Sequence, residues 1–281
     1  MLGDAAPLHQ RWPAGIDLLI VDHYELDERF ESACRPWARA ILVIDDLANR
    51  RHDADFLLDQ TLGRSPLSYA HLLPAQAQFL LGPDHALLRP QFAAARDRAL
   101  ARRGAVHLGT VLVSTGATDP IGLTGRVLTA LARSQLALDV DVVVGPGDAT
   151  AEELLRHSEG ILGEVRIHRT VADMASLMIS ADLAIGACGV TSWERCCLGL
   201  PTIAILTADN QAMVAKHLAD AGAIQYLGDE RDLDLAELAS ALRGLATDPQ
   251  RLAAMSTRAA AICDGSGVDR VVATVERAAQ Q

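Results

Sequence analysis

The chain has 281 residues, of which 50% are hydrophobic and 22% are charged, and its formal net charge is −11. This composition is typical of a compact folded protein and excludes a largely disordered chain. The acidic balance argues against nucleic acid as a partner, because the phosphate backbone would be repelled. No apolar run reaches the roughly 18 to 20 residues of a membrane-spanning helix, so we expect no membrane partner.

The cysteines and histidines do not indicate a metal site. The five cysteines are odd in number and have no paired CxxC spacing, and the nine histidines include no HxxxH or HExxH pair. Neither a disulfide framework nor a zinc site is therefore predicted. A reduced, cytoplasmic protein is the simplest interpretation.

Short apolar runs alternate with segments of helical period along the whole chain, as in doubly wound α/β folds. Ten buried parallel strands are predicted, at residues 17–22, 40–45, 55–59, 78–82, 110–114, 138–144, 164–168, 182–185, 201–206 and 224–227. Ten strands fit two sheets better than one. The fold class is therefore α/β with two Rossmann-like parallel-sheet domains.

The domain boundary is predicted after the helix at 90–103, which begins at a proline and is followed by Gly104. Residues 1–103 form a first domain with about four strands and no glycine-rich first turn, so this domain is expected to be incomplete at its N-terminus. Residues 104–263 form a complete second domain, in which Asp119 and Pro120 open a helix. Residues 264–281 form a C-terminal helix that packs back on the first domain.

The main functional signal joins a predicted strand to a helix, in the run GACGVTSWE. Ligands bind at the carboxyl ends of parallel strands, and a helix N-terminus offers N–H groups to phosphate. Gly186 and Gly189 would let a diphosphate approach the backbone, and Thr191 and Ser192 would cap the helix or donate hydroxyls. Glu194 could accept both ribose hydroxyls. An ordinary helix cap with a charge-compensating glutamate is the alternative.

Two further turns are predicted at the same edge of the sheet. Asp209, Asn210 and Gln211 follow the next strand and could face a bound sugar, although such triplets are often only helix caps. The turn around Gly116, in VSTGATDP, has the pattern of a weak phosphate loop. Both turns would lie at the edge where the run GACGVTSWE is predicted to bind a diphosphate.

In the first domain, polar side chains follow two predicted strands, in the runs DHY at 22–24 and DDL at 45–47. Carboxylates at strand ends are candidates for acid or base catalysis, but such loops are polar in any case. Cys196 and Cys197 are expected to be buried small hydrophobes rather than nucleophiles.

Many ordered motifs in the chain resemble the nucleotide-sugar hydrolases of pseudaminic acid biosynthesis, a family similar to GT-B glycosyltransferases: VDHY, IDDLANRRHDADFLLDQ, LLGPDHALLRPQF, VSTGATDP, MASLMISADLAIGACGVTSWERCCLGLPTIAI and ADNQ. The resemblance covers nearly the whole chain and implies a GT-B-like fold. It implies hydrolysis of a UDP-linked 2,4-diacetamido-2,4,6-trideoxy sugar to UDP and the free sugar. It also implies no tightly bound cofactor, and a monomer is expected.

By the same resemblance, Gly189, Thr191 and Ser192 would contact the diphosphate and Glu194 the ribose. Asn210 and Tyr24 would be the catalytic residues, facing the sugar and the attacking water. These roles follow from the matching motifs alone.

The chain departs from the family's pattern in one important respect, because it has no GxGHxxR loop, whose histidine would be the base that activates the water. A start upstream of Met1 would explain the missing strands and the missing base together. A catalytically inactive nucleotide-sugar-binding relative is the alternative, as is a GT-B glycosyltransferase that transfers the sugar to an acceptor. His23 could replace the missing base.

Ala117 and Cys188 also depart from the pattern, since the family usually has glycine at both positions. An added Cβ could crowd the pyrophosphate if either position requires a positive φ.

Overall fold

A computed structural model describes residues 5–103, 107–116, 118–119, 121–145 and 149–279. The chain divides into two compact units, unit 1 comprising Met1–Leu87 with Ser266–Gln281 and unit 2 comprising Leu88–Gly265. All ten predicted strands are present, four in unit 1 and six in unit 2, which confirms the two parallel sheets. None of the described helices is long and apolar enough to cross a membrane.

Unit 1 contains a four-stranded parallel sheet in the order β1-β2-β3-β4. Its elements are α1 (Ala5–Arg11), β1 (Ile16–Asp22), α2 (Glu28–Cys34), β2 (Ala38–Ile44), β3 (Phe56–Asp59) and β4 (Gln78–Leu81), and α11 (Gly267–Ala279) at the end of the chain. Alternate side chains of the strands point to opposite faces. Ile41 and Leu57 therefore face α2, whereas Leu42 and Leu58 pack against Val271 of α11. This packing explains why the C-terminal helix belongs to unit 1.

Unit 2 contains a six-stranded parallel sheet in the order β10-β9-β8-β5-β6-β7. Its elements are α3 (Pro90–Arg103), β5 (Thr110–Ser114), α4 (Leu123–Ser134), β6 (Asp139–Val144), α5 (Ala151–His157), β7 (Val165–Arg169), α6 (Met174–Ser180), β8 (Leu183–Ala187), α7 (Thr191–Cys197), β9 (Thr202–Leu206), α8 (Ala212–Asp220), β10 (Ile224–Asp229), α9 (Leu235–Ala246) and α10 (Pro249–Ala260). The chain runs outward from β5 to β7 and then returns to place β8 on the other side of β5. The strand order therefore reverses between β5 and β8, and such switch points are where open α/β sheets bind ligands.

Helix α3, which the sequence analysis assigns to the first domain, is grouped with unit 2. Arg96 donates hydrogen bonds to the carbonyl oxygens of Cys197, Ala260 and Cys263. Arg103 donates to the carbonyls of Met178 and Ala181 at the end of α6. Carbonyls at helix ends have no partner within their own helix. These arginines satisfy them, and they thereby attach α3 to unit 2. The predicted boundary residue Gly104 lies outside the described residues.

Helix α4 begins at Leu123, so the predicted start at Asp119 and Pro120 is wrong. The Asp119 carboxylate accepts the backbone N–H groups of Leu123 (2.6 Å) and Thr124 (2.8 Å). Asp119 therefore precedes the helix and supplies partners for its first turn. Pro120, like Ala117, lies outside the part of the chain that the structure describes.

Candidate functional site

The carboxyl ends of four adjacent strands, β10, β9, β8 and β5, surround a cleft of about 390 Å³ in unit 2. The cleft lies at the point where the strand order reverses. It is lined by Thr115, Gly116, Thr118, Asp119, Leu123, Ala187, Gly189, Val190, Thr191, Thr207, Ala208, Gln211 and Glu230. Of the residues predicted from sequence, the structure thus brings Gly116, Gly189, Thr191 and Gln211 together.

The glycines at this edge have different structural roles. Gly116 has a φ of 142°, a conformation that favours glycine. A Cβ on Gly189 would meet nothing closer than the side-chain nitrogen of Gln211, at 3.7 Å, so its backbone is open to a ligand. Gly186 lies inside β8, where a Cβ would be 2.1 Å from the carbonyl oxygen of Ser114. Gly186 is thus required by the close pairing of β8 with β5.

Gln211 joins two of the loops that line the cleft. Its side-chain oxygen accepts the backbone N–H of Cys188 at 3.1 Å and the hydroxyl of Thr207 at 3.2 Å. The side chain therefore does not cap helix α8. It holds the loop after β8 against the loop after β9, so that Gly189 keeps its place in the cleft.

Helix α7 does not begin with a serine or threonine side chain that caps its first N–H groups. The N–H groups of Ser192 and Trp193 donate to the carbonyls of Gly189 (2.9 Å) and Val190 (3.0 Å). Thr191 lines the cleft, whereas Ser192 is buried and its hydroxyl accepts a hydrogen bond from Arg195 at 3.1 Å. In this conformation, Thr191 is the hydroxyl residue of the run that a ligand in the cleft would meet.

Three further predicted residues of unit 2 are not among those that line the cleft. The carboxylate of Glu194 lies 3.5 Å from the guanidinium of Arg89. Burial raises the pKa of Glu194, while Arg89 opposes the shift. Asp209 and Asn210 are exposed in a short 3₁₀ turn, Asp209 lying 3.6 Å from Arg231.

Two polar lining residues, Thr207 and Glu230, were not predicted from the sequence. Burial raises the pKa of Glu230, and the neighbouring carboxylates of Asp229 and Asp119 add to the shift. Thr207 directly follows the predicted strand at 201–206, and Glu230 lies three residues beyond the predicted strand at 224–227, so the rule that ligands bind at carboxyl strand ends could have identified them. Because Glu230 and Asp119 make one side of the cleft acidic, that side fits hydroxyl groups better than phosphate.

The predicted catalytic residue Tyr24 belongs to unit 1, where its hydroxyl donates to Asp46 at 3.3 Å. Burial raises the pKa of Asp46, and the carboxylates of Asp45 and Asp59 raise it further. The imidazole of His23 accepts the N–H of Glu25 at 3.1 Å, which is an ordinary turn contact. The pairing of Tyr24 with Asp46 connects the two strand ends that the sequence analysis singled out.

The cysteines near the site are buried, as the sequence analysis expected of Cys196 and Cys197. Burial raises the pKa of Cys196 to about 12 and that of Cys188 to about 11. Cys188 has no positive φ, and its side chain packs with Ala204 and Ala215. The condition for crowding of the pyrophosphate by a Cβ, a positive φ, is therefore not met at this position. Over the described ranges, no group of three or more His, Cys, Asp or Glu side chains could hold a metal ion.

Two curated proteins similar to this chain are named for polysaccharide biosynthesis and for N-acetylglucosamine transfer. The spore coat polysaccharide biosynthesis protein SpsG of Bacillus subtilis is 30% identical over 197 residues, which cover 69% of this chain and 57% of that protein. The UDP-N-acetylglucosamine-N-acetylmuramyl-(pentapeptide) pyrophosphoryl-undecaprenol N-acetylglucosamine transferase of Hahella chejuensis is 30% identical over 171 residues, which cover 58% of this chain and 46% of that enzyme. The chain thus spans about half the length of these relatives.

The fold is shared with the solved structure of another protein. MurG of Acinetobacter baumannii superposes with a TM-score of 0.68 at 17% identity, covering 98% of this chain and 77% of that one. The expected GT-B-like fold, with parallel sheets in two Rossmann-like domains, is therefore confirmed. The glycosyltransferase family 28 C-terminal domain matches residues 110–271, which is more than half of the chain and includes the whole cleft. On this evidence, the chain belongs to the glycosyltransferase family 28 C-terminal domain family.

Proposed function

We propose that the cleft of unit 2 binds the UDP part of a nucleotide sugar and that the chain is the sugar-donor site of a glycosyltransferase-type enzyme. The observation that carries this proposal is the cleft itself, in which Gly116, Gly189 and Thr191 meet at the switch point of the sheet. Glycine backbone and a hydroxyl at the start of a helix are groups that bind phosphate oxygens. The name of the Hahella chejuensis relative supports UDP as the nucleotide.

The two sides of the cleft would bind different parts of the ligand. Gly189 and Thr191 would hold the diphosphate, because their side of the cleft carries no carboxylate among its described lining residues. Glu230 would accept hydrogen bonds from hydroxyl groups of the ribose or the sugar, and the side-chain nitrogen of Gln211 would donate to them. A carboxylate hydrogen-bonds a hydroxyl well, whereas it repels a phosphate.

We also propose ligand contacts for the four predicted residues of unit 2 that do not line the cleft. Glu194 would bind the ribose after exchanging its contact with Arg89. The Ser192 hydroxyl, which accepts from Arg195, would use its own proton to donate to a phosphate oxygen. Asp209 and Asn210 would contact the sugar from the exposed turn after β9.

Hydrolysis of a UDP-linked 2,4-diacetamido-2,4,6-trideoxy sugar in pseudaminic acid biosynthesis is the second candidate. The ordered motifs from VDHY to ADNQ favour it. In that reaction, the water oxygen bonds to the anomeric carbon as the bond from that carbon to the UDP oxygen breaks. UDP leaves with the electron pair, and the water proton passes to a base. Tyr24, oriented by Asp46, would position the water in this case.

Product analysis separates these reactions. The protein is incubated with UDP-N-acetylglucosamine or with the diacetamido substrate, with and without a saccharide or lipid acceptor, and UDP release is measured. A glycoside that forms only with an acceptor supports transfer, and free sugar with stoichiometric UDP supports hydrolysis. Binding of UDP without formation of any product would indicate a nucleotide-sugar-binding protein without catalytic activity. Absence of UDP binding would contradict all three.

Thr191→Val is expected to weaken UDP binding about tenfold, since a hydrogen bond to a charged group contributes roughly 1.5 kcal/mol. Thr129→Val is the matched control, because Thr129 lies in α4 and is not among the cleft-lining residues. Isothermal titration calorimetry measures both. Equal affinities of the two variants would contradict the role of Thr191.

A further inference from the structure

Arg195 is a buried cation in unit 2 that forms no ion pair. Its relative exposure is 4%, and within the described residues no carboxylate lies within ion-pair distance of its guanidinium. Glu194 is adjacent in sequence, but its carboxylate contacts Arg89. The other titratable groups around Arg195 are the thiols of Cys188 and Cys196. An arginine stays protonated in proteins, so this is a buried positive charge without a counter-ion.

The guanidinium connects the two ends of the loop after β8. One terminal nitrogen donates to the carbonyl of Ala187, where β8 ends, and to the hydroxyl of Ser192 in the first turn of α7. The other terminal nitrogen lies against the backbone of Gly186, 2.8 Å from where a Cβ would be. Between these contacts lie Gly189 and Thr191, which line the cleft.

The third guanidinium nitrogen, Nε, is buried without a hydrogen-bond partner among the described residues. Unpaired buried charges are costly, and proteins normally pair them with acids. In a fold that leaves this cation unpaired beneath a loop facing a cleft, a bound anion would provide the missing opposite charge. A neutral ligand would not.

We infer that Arg195 is a positioning residue for the diphosphate of the nucleotide, which fixes the loop from Ala187 to Ser192 and supplies positive charge beneath it without touching the ligand. This inference rests on the proposed function of the cleft. It explains why a charged side chain occupies the interior of unit 2 at this point. On this inference, the charge of Arg195 favours binding of the charged part of the nucleotide rather than of its base or sugar.

The test compares UDP with uridine, which lacks the phosphates. Dissociation constants are measured by calorimetry for the wild type, Arg195→Met, Arg195→Gln and Arg195→Lys, after circular dichroism has shown that each variant is folded. We expect the two neutral variants to weaken UDP binding at least tenfold and uridine binding by less than about twofold. Arg195→Lys, which keeps the charge, should retain the preference for UDP to within about threefold.

The outcomes distinguish this inference from the proposed function. If the wild type prefers UDP and the neutral variants keep that preference, or weaken both ligands equally, Arg195 has only a structural role and the inference is overturned. It is also overturned if neither neutral variant folds while Arg195→Lys does. If the wild type itself binds UDP no better than uridine, it is the proposed function that fails.

Discussion

Replacing Gly186 by alanine is expected to lower the free energy of unfolding by about 3 kcal/mol, because the new methyl group has no space. It would lie 2.1 Å from the carbonyl oxygen of Ser114 and 2.8 Å from the guanidinium of Arg195. The neighbouring atom on β5 is backbone, and β5 is held on both sides by β6 and β8. The sheet must therefore open at the centre of unit 2. Urea denaturation followed by circular dichroism measures the change.

Gly189→Ala is the matched control, since it makes the same chemical change three residues further along the chain. Its Cβ would meet nothing within 3.4 Å, and the position does not have a positive φ. The free energy of unfolding should change by less than about 1 kcal/mol. If both variants were equally stable, the assignment of Gly186 to strand pairing would be wrong.

Arg103→Met is expected to lower the free energy of unfolding by about 3 kcal/mol. Arg103 is 8% exposed and donates to the carbonyls of Met178 (2.6 Å) and Ala181, so its loss leaves carbonyl groups at the end of α6 without partners. Burial lowers the pKa of Arg103 to about 10, and the adjacent Arg102 adds to the shift. Arg103 is still charged at neutral pH. Its hydrogen bonds therefore contribute in full under ordinary conditions.

Arg102→Met is the control for this prediction. Arg102 also bonds the end of α6, through the carbonyl of Ser180 and an ion pair of 2.7 Å with Asp182, but its side chain is 38% exposed. Water can replace these contacts, so a loss of about 1 kcal/mol is expected. Thermal denaturation of both variants ranks them. A larger loss for Arg102→Met would contradict the attachment of α3 through Arg103.

The central strands could be predicted because each contains a short, almost uninterrupted apolar run, and runs of this kind arise when both faces of a parallel strand are buried. The edge strands β7 and β10 carry polar residues as well, and only their shorter apolar patterns predicted them. The residue at which α4 starts could not be predicted from the sequence. The carboxylate of Asp119 can accept helix N–H groups whether the helix starts directly after it or a few residues later. Here it accepts the N–H groups of Leu123 and Thr124, across an intervening turn. The assignment of α3 depends on Arg96 and Arg103, whose partners are far away in sequence.

The same limit applies to the site. The sequence could predict a ligand-binding loop after β8, because glycine and hydroxyl residues follow an apolar strand there. Sequence alone does not show that Gly186 faces Ser114 while Gly189 faces the cleft, because this depends on the register of β8 with β5. Sequence alone could not show the contact of Glu194 with Arg89, because Arg89 lies 105 residues earlier in the chain. Glu230 could have been found from its place after β10.

The central claim is that UDP binds in the cleft beside Gly189, and a titration of UDP into the wild type and into Gly189→Leu tests it most directly. The leucine side chain would extend from the Cβ position near Gln211 into the space that the diphosphate would occupy. Calorimetry should show UDP binding to the wild type and a loss of at least tenfold in the variant, with circular dichroism unchanged. Equal binding to both proteins, or no binding to the wild type, would contradict the claim.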